Sequence, residues 1–311
     1  MLLILLTCIA CSLVLVLAVV HYPREIDGPS DENSSLSNPD YRMFYEDSYA
    51  AKRVASSIDS SYEVREVIAA SQRRSHPQTE TIERFVRDYK LVNSRVLEVG
   101  AGRGLLQDVV DQYVGLDISS EAERFFHKPF FEASATDIPF RDNEFDAIWT
   151  IAVLEHVPRP EQALREMRRV LKDGGILYLA PAWQCRSWAA DGYAVRPYGH
   201  FGLKGRLIKM SIPIRESIVY RSLYTFPIRL IRLATHLANK GPTRFRYSAL
   251  TPNYKHFWAS DSDAVNSMDP YEAILWFKSR GDEILNHDTW FSQFFVRSNE
   301  IVIQVHKPPI S

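Results

Sequence analysis

From Met1 to Val20 the only positions that are not apolar are Thr7 and Ser12, and no charge appears before Arg24. About 20 helical residues at roughly 1.5 Å each match a bilayer core, so this run predicts a transmembrane anchor at 1–20. A cleaved signal peptide is the rival, but the basic start and the small-x-small cleavage site are missing. Residues 21–59, with Pro23, Pro29, Ser34, Ser35 and several carboxylates in the first half, read as a solvated tether. Helical spacing then appears in Ser60 to Ser71, through Val64, Val67 and Ile68, and in Gln78 to Tyr89, through Ile82, Phe85 and Val86.

From Arg95 onward the pattern changes. Val96 to Val99, Tyr113 to Leu116, Ala147 to Trp149 and Ile176 to Leu179 are short β-rich runs separated by helix-sized segments. That alternation predicts a parallel, doubly wound α/β sheet. Asp269-Pro270-Tyr271-Glu272 supplies an N-cap, a proline at the first helical position and a reciprocal glutamate, for a helix that Gly281 can end. Ile284 to Leu285, Trp290 to Val296 and Ile301 to Val305 then predict closing strands, the last two an antiparallel hairpin across Arg297 to Asn299. Between Pro181 and Ser260 the alternation stops. Residues 182–260 are thus expected to insert over the carboxyl ends of the strands of a single domain, 60–311.

Composition narrows the function classes. Net charge is -1, which excludes a globally basic chain, so no nucleic-acid partner is expected. Cys8 and Cys11 lie in the apolar leader and only Cys185 lies elsewhere, so neither a disulfide framework nor a cysteine metal cage can form. Asp261, Asp263 and Asp269 with Asn266 lack the glycine and terminal glutamate of a calcium loop, and no metal is expected.

Charge is distributed unevenly, however. Leu203 to Arg246 holds ten Lys or Arg and one acid, Glu216. There Val219, Leu223, Phe226, Leu230, Leu233 and Leu237 recur at helical spacing among Arg221, Arg229 and Arg232, and Pro227 should break or kink the run. A basic amphipathic element suits an anionic membrane surface; the alternative is a solvated basic face.

The candidate chemistry starts at Glu98-Val99-Gly100-Ala101-Gly102-Arg103-Gly104, which follows an apolar strand and runs into Leu105 and Leu106, read as the start of a helix. Glycines there let the backbone turn sharply beside a ligand, and a helix amino end favours a polar group. Asp117 closes the next strand, where its carboxylate can accept both hydroxyl hydrogens of a ribose. Together they predict an adenosine site. A nicotinamide site would space its glycines G-x-G-x-x-G, whereas Gly100, Gly102 and Gly104 are G-x-G-x-G.

With Asp137-Ile138-Pro139-Phe140, Asn143 to Asp146, Leu154-Glu155-His156-Val157 and Val170 to Gly175 in order, Val96 to Pro181 resembles the class I S-adenosylmethionine-dependent methyltransferases, particularly the quinone-biosynthesis group. The resemblance implies a Rossmann-like, mostly parallel seven-stranded sheet with an antiparallel terminal hairpin, and S-adenosylmethionine as methyl donor. It assigns Glu98 to the methionine amino group through water, and Gly100, Ala101, Gly102 and Gly104 to the methionyl and ribose part. Asp117, with Ile118 beside it, takes the ribose, and Ser134 and Ala135 the adenine. Many relatives carry an acid where this chain has Ser134, with Asp137 as a possible substitute; the short Gly104 to Asp117 interval implies a trimmed first helix.

Methyl transfer needs an aligned nucleophile and often a base. His156 and His200 are the candidates, against the plainer readings of a loop-fixing and a surface histidine. Trp183, Trp188, Tyr193 and Tyr198 are candidates for an acceptor pocket or for core packing. The expected protein is a methyltransferase on a single-pass anchor, its domain facing the cytosol, where the donor is made. Its acceptor is expected to be a small molecule or a lipid, quinone-like ring or lipid-linked glycan drawn from the membrane. A non-catalytic protein of the same fold, and more distantly a nicotinamide oxidoreductase, are the alternatives.

Overall fold

The computed structural model describes residues 2–20, 39–49, 76–239, 241–256, 258–259, 261–297 and 300–307. Two helices precede the domain, α1 (Leu2–Val20) and α2 (Pro39–Tyr49). The helix expected at Ser60 to Ser71 lies outside the described residues. α3 (Thr79–Asp88) forms where expected and buries Ile82, Phe85 and Val86.

The central sheet has seven strands, in the order β3-β2-β1-β4-β5-β9-β8. These are β1 (Arg95–Val99), β2 (Gln112–Asp117), β3 (Phe130–Glu132), β4 (Phe145–Ile151), β5 (Leu171–Ala180), β8 (Glu283–Ile284) and β9 (Ile301–Gln304). Pairing is parallel from β3 to β5, while β9 runs antiparallel to both β5 and β8. Chain direction through the sheet reverses between β1 and β4, which puts the ligand crevice of a doubly wound fold at their carboxyl ends.

Strands buried on both faces need a helix layer on each side. α4 (Pro160–Val170) and α7 (Pro270–Lys278) bury Leu164, Met167, Ile274 and Phe277 against one face; α3 with Leu106 and Val110 covers the other. α7 begins at the expected cap, with Asp269 accepting the Tyr271 amide at 2.8 Å, but Glu272 does not cap reciprocally because its carboxylate is held by Arg232 at 2.6 Å.

Several expectations are corrected. Trp290 to Val296 is not a strand: α8 (Trp290–Phe294) forms there, because Thr289 and Ser292 make a reciprocal capping box and Trp290 stacks on Phe294 one turn on. The terminal antiparallel pair is therefore β8 with β9. No helix follows the glycine loop; Leu105 to Asp111 closes in turns, since so few residues separate it from β2. Of the expected tether, 39–49 is helix α2, which packs Phe44 into the domain.

The insertion holds α5 (Leu203–Glu216), α6 (Ile218–Ala238) and a two-stranded ribbon, β6 (Tyr247–Ala249) with β7 (Asn266–Met268). α6 runs unbroken through Pro227, held beyond it by Arg229 and Arg232. Those two arginines are buried rather than part of a basic outer face.

The transmembrane expectation for 1–20 is not met: among the described residues no helix is long and apolar enough to cross a membrane. α1 lies along α6, with Leu3, Ile4 and Ile9 exposed.

Candidate functional site

The loop after β1 is bent by glycine. Gly100 and Gly102 have φ of +76° and +53°, and a Cβ on Gly100 would lie 2.1 Å from Val153 Cγ2. This close approach, not ligand contact alone, requires glycine at 100. The Gly100 and Ala101 amides both donate to Leu116 O, at 2.8 and 2.9 Å, which draws the loop over the end of β2.

Asp117 terminates β2 and is 5% exposed. Its Oδ2 accepts the Gly102 amide at 2.8 Å and its Oδ1 accepts the Ser119 amide at 3.1 Å. Burial pushes this carboxyl up, while those amides pull it back down. Glu98 lies behind it in β1, accepting a short hydrogen bond from the Tyr113 hydroxyl, and burial pushes its carboxyl up to about 8.

A cavity of about 100 Å³ opens at these strand ends, with Gly100, Asp117, Ile118, Ser134, Ala135 and His156 in its wall. Glu98, Ala101, Gly102 and Gly104 stand outside that wall. Ser134 turns its hydroxyl onto its own loop, 2.8 Å from Thr136 Oγ1, and Asp137 is exposed and lies outside the cavity wall.

At the other end His156 ends the 3-10 turn Leu154–His156. Its Nδ1 is 3.3 Å from Asp263 Oδ2 without hydrogen-bond alignment, and its Nε2 is 3.7 Å from Glu155 Oε1. The Asn266 amide fixes this turn by donating to Leu154 O and Val157 O, both at 2.8 Å. His200 is not brought here: it is exposed at the end of the turn Tyr198–His200 in the insertion. Of the aromatic candidates, Trp183 packs in the core and Tyr193 against Phe201, neither in this cavity.

Three further residues belong to this crevice or its immediate support. Tyr45 and Tyr49, one turn apart on α2, both line the cavity, and Tyr45 donates to Asp263 at 3.0 Å. Tyr49 points its hydroxyl at Asp117 Oδ2, 3.5 Å away. The signal was their i, i+4 spacing, hidden in a stretch read as tether. In sequence, Asp263 stands out only as one of the acids whose spacing does not fit a calcium loop.

Three acids, Asp117, Glu155 and Asp263, are at most 5% exposed in or directly behind this wall. Such a site favours a cation and disfavours a pyrophosphate, all the more because no helix amino end follows the loop. A sulfonium donor with an ammonium group fits that field, and a dinucleotide does not. Room is the remaining constraint: about 100 Å³ is below the usual range for ligand sites because Tyr45 and Tyr49 occupy part of the crevice.

A family model described as a methyltransferase domain matches residues 97–179. The chain is 32% identical over 121 residues to the ubiquinone/menaquinone biosynthesis C-methyltransferase of Pseudomonas syringae pv. syringae, covering 38% of this chain and 40% of that one. It is 32% identical over 111 residues to the fatty-acid O-methyltransferase of Mycolicibacterium smegmatis, covering 29% and 40%. Among solved structures, the sugar N-methyltransferase KedS8 from Streptoalloteichus is 24% identical with a TM-score of 0.33, covering 40% of this chain and 56% of that one. The chain spans about half, or less, of the length of the curated relatives it matches.

Proposed function

We propose, from the premise that this chain carries a class I S-adenosylmethionine-dependent methyltransferase domain, that it transfers the donor's methyl group to an acceptor taken from a membrane surface. The observation that carries the transfer is one crevice holding a glycine-bent loop and buried Asp117 at one end and His156 backed by Asp263 at the other. Asp117 accepts the ribose hydroxyl hydrogens, the 100–104 backbone passes the methionyl part, and Ile118 and Ala135 wall the adenine. Bound S-adenosylmethionine supplies an electrophilic methyl carbon on a cationic sulfur. His156 takes the proton of the acceptor oxygen or nitrogen as that atom bonds to the methyl carbon and the carbon–sulfur bond breaks. Asp263 stabilises the resulting imidazolium.

Two observations support a membrane acceptor: a lipid, a quinone-like ring or a lipid-linked glycan. Leu203, Leu207, Met210 and Ile214 recur on one side of α5 and are at least 58% exposed, beside Lys204 and Arg206. Two relatives are named for quinone and fatty-acid methylation. Because the donor is made in the cytosol, the same reading puts the domain on the cytosolic side of that membrane.

Donor binding and turnover test the assignment separately. Asp117→Ala should weaken S-adenosylhomocysteine binding about 10- to 100-fold, the loss of a charge-assisted hydrogen bond. His156→Gln should bind it normally and lose on the order of 100-fold or more in labelled-methyl transfer. Unchanged donor affinity in the first variant removes the donor site, and unchanged turnover in the second removes the base.

A further inference from the structure

A second cavity, of about 340 Å³, lies under the joint between α5 and α6, and its wall shares no residue with the first. The two are neighbours across β7. Asn266 holds the backbone of the turn that carries His156, and the next two residues, Ser267 and Met268, line the second cavity.

Its polar wall is rich in donors whose charge is not met. Arg186 pairs with Glu216 at 3.1 Å, and Asp269 with Arg229 at 2.8 Å, so both acids of the wall are already engaged. Arg215 lies over the Trp188 ring, 4.4 Å from its centroid, and makes no ion pair among the described residues. Among the described residues Arg221 donates to the neutral Gln184 side chain and to Tyr224 and makes no ion pair. Trp188 Nε1 is shielded from solvent and has no acceptor among the described residues. Two guanidinium groups facing one protein cavity repel each other unless an anion lies between them, and their planar forks match a phosphate or carboxylate. The rest of the wall includes Ile228, Leu250 and Met268, and the exposed Ile214, Ile218 and Val219 stand at the same α5–α6 joint.

We propose that this cavity is an anion subsite that holds the phosphate or carboxylate of an amphipathic acceptor, with Arg215 and Arg221 as its recognising residues. The word acceptor rests on the methyl-transfer reading; the anion site does not. An anionic group anchored there would leave the body of the molecule to reach around β7 toward His156.

The test titrates the full chain with short-chain phosphatidate below its micelle concentration, the matching neutral diacylglycerol, and inorganic phosphate, with S-adenosylhomocysteine binding measured in parallel. Phosphatidate should bind and the diacylglycerol should not, and Arg215→Gln with Arg221→Gln should weaken phosphatidate binding about tenfold or more. Unaltered S-adenosylhomocysteine affinity in that double variant shows that it is folded. Inorganic phosphate binding more tightly than phosphatidate would support the anion site and identify its source as a free phosphate. The proposal is overturned if neither phosphate compound binds, or if the double variant binds phosphatidate as the parent does. Failure of S-adenosylhomocysteine to bind the parent chain would instead overturn the methyl-transfer reading and leave the phosphate result standing.

Discussion

Glu98 shows how one residue acquires a property that its motif does not announce. Its place at the end of an apolar strand is readable in the sequence; its protonation is not, because burial beneath β2 and the Tyr113 contact come from the fold. Burial raises the folded carboxyl to about 8, from an unfolded value near 4.5, so the folded chain holds an extra proton between those limits. The sign follows: the contribution to stability is complete below about pH 4.5 and is lost as pH rises to about 8, at no more than roughly 1.4 kcal/mol per pH unit. Glu98→Gln should therefore lose less stability than the parent between pH 5 and pH 8 in denaturant melts of the donor-free protein. Parallel curves for the two proteins would show that Glu98 is ionised across that range.

Helix α2 is the element that most changes the site. It closes over the crevice with Tyr49 beside the carboxylate that would hold the ribose, so donor entry requires that contact to yield. At 3.5 Å the hydrogen bond is long, and its removal should help the donor by only about two- to fivefold. Tyr49→Phe is thus expected to raise S-adenosylhomocysteine affinity by that amount in calorimetry; a fall would mean that the hydroxyl belongs to the binding site. The strands of the sheet from β1 to β5, apart from β3, were legible because each is a short apolar run between turn residues. α2 was not, because its cue is two tyrosines one turn apart in a polar stretch, and its stability comes from docking. Trp290 to Phe294 misled for the opposite reason: an aromatic run reads as strand until the Thr289 cap is weighed. Within the site, Asp117 and His156 were legible from motif order, whereas Asp263 reaches His156 only through a contact between residues 107 positions apart, which no local pattern encodes.

At the scale of the whole molecule, the insertion presents an apolar surface that the domain does not cover. Leu207, Met210 and Ile214 on α5 are 58 to 63% exposed, Val219, Leu230 and Leu237 continue the exposure along α6, and α1 lies beside them. Burying the exposed part of each α5 side chain in the bilayer boundary contributes about 1 kcal/mol, and each nearby cation a similar amount at an anionic surface. Arg229 and Arg232 do not add to this, because their charges are met inside the domain. Affinity for vesicles should then depend on α5 side chains and on salt, but not on those arginines. A chain beginning at residue 21, which keeps α2, should sediment with phosphatidylserine vesicles in low salt and release in part in high salt. Leu207→Asp, Met210→Asp and Ile214→Asp together should abolish that binding while S-adenosylhomocysteine affinity is unchanged, since the donor loop is built from other elements. If the shortened chain stays in the supernatant at low salt, the exposed stripe is not a lipid-docking face, and the membrane origin of the acceptor loses its structural support.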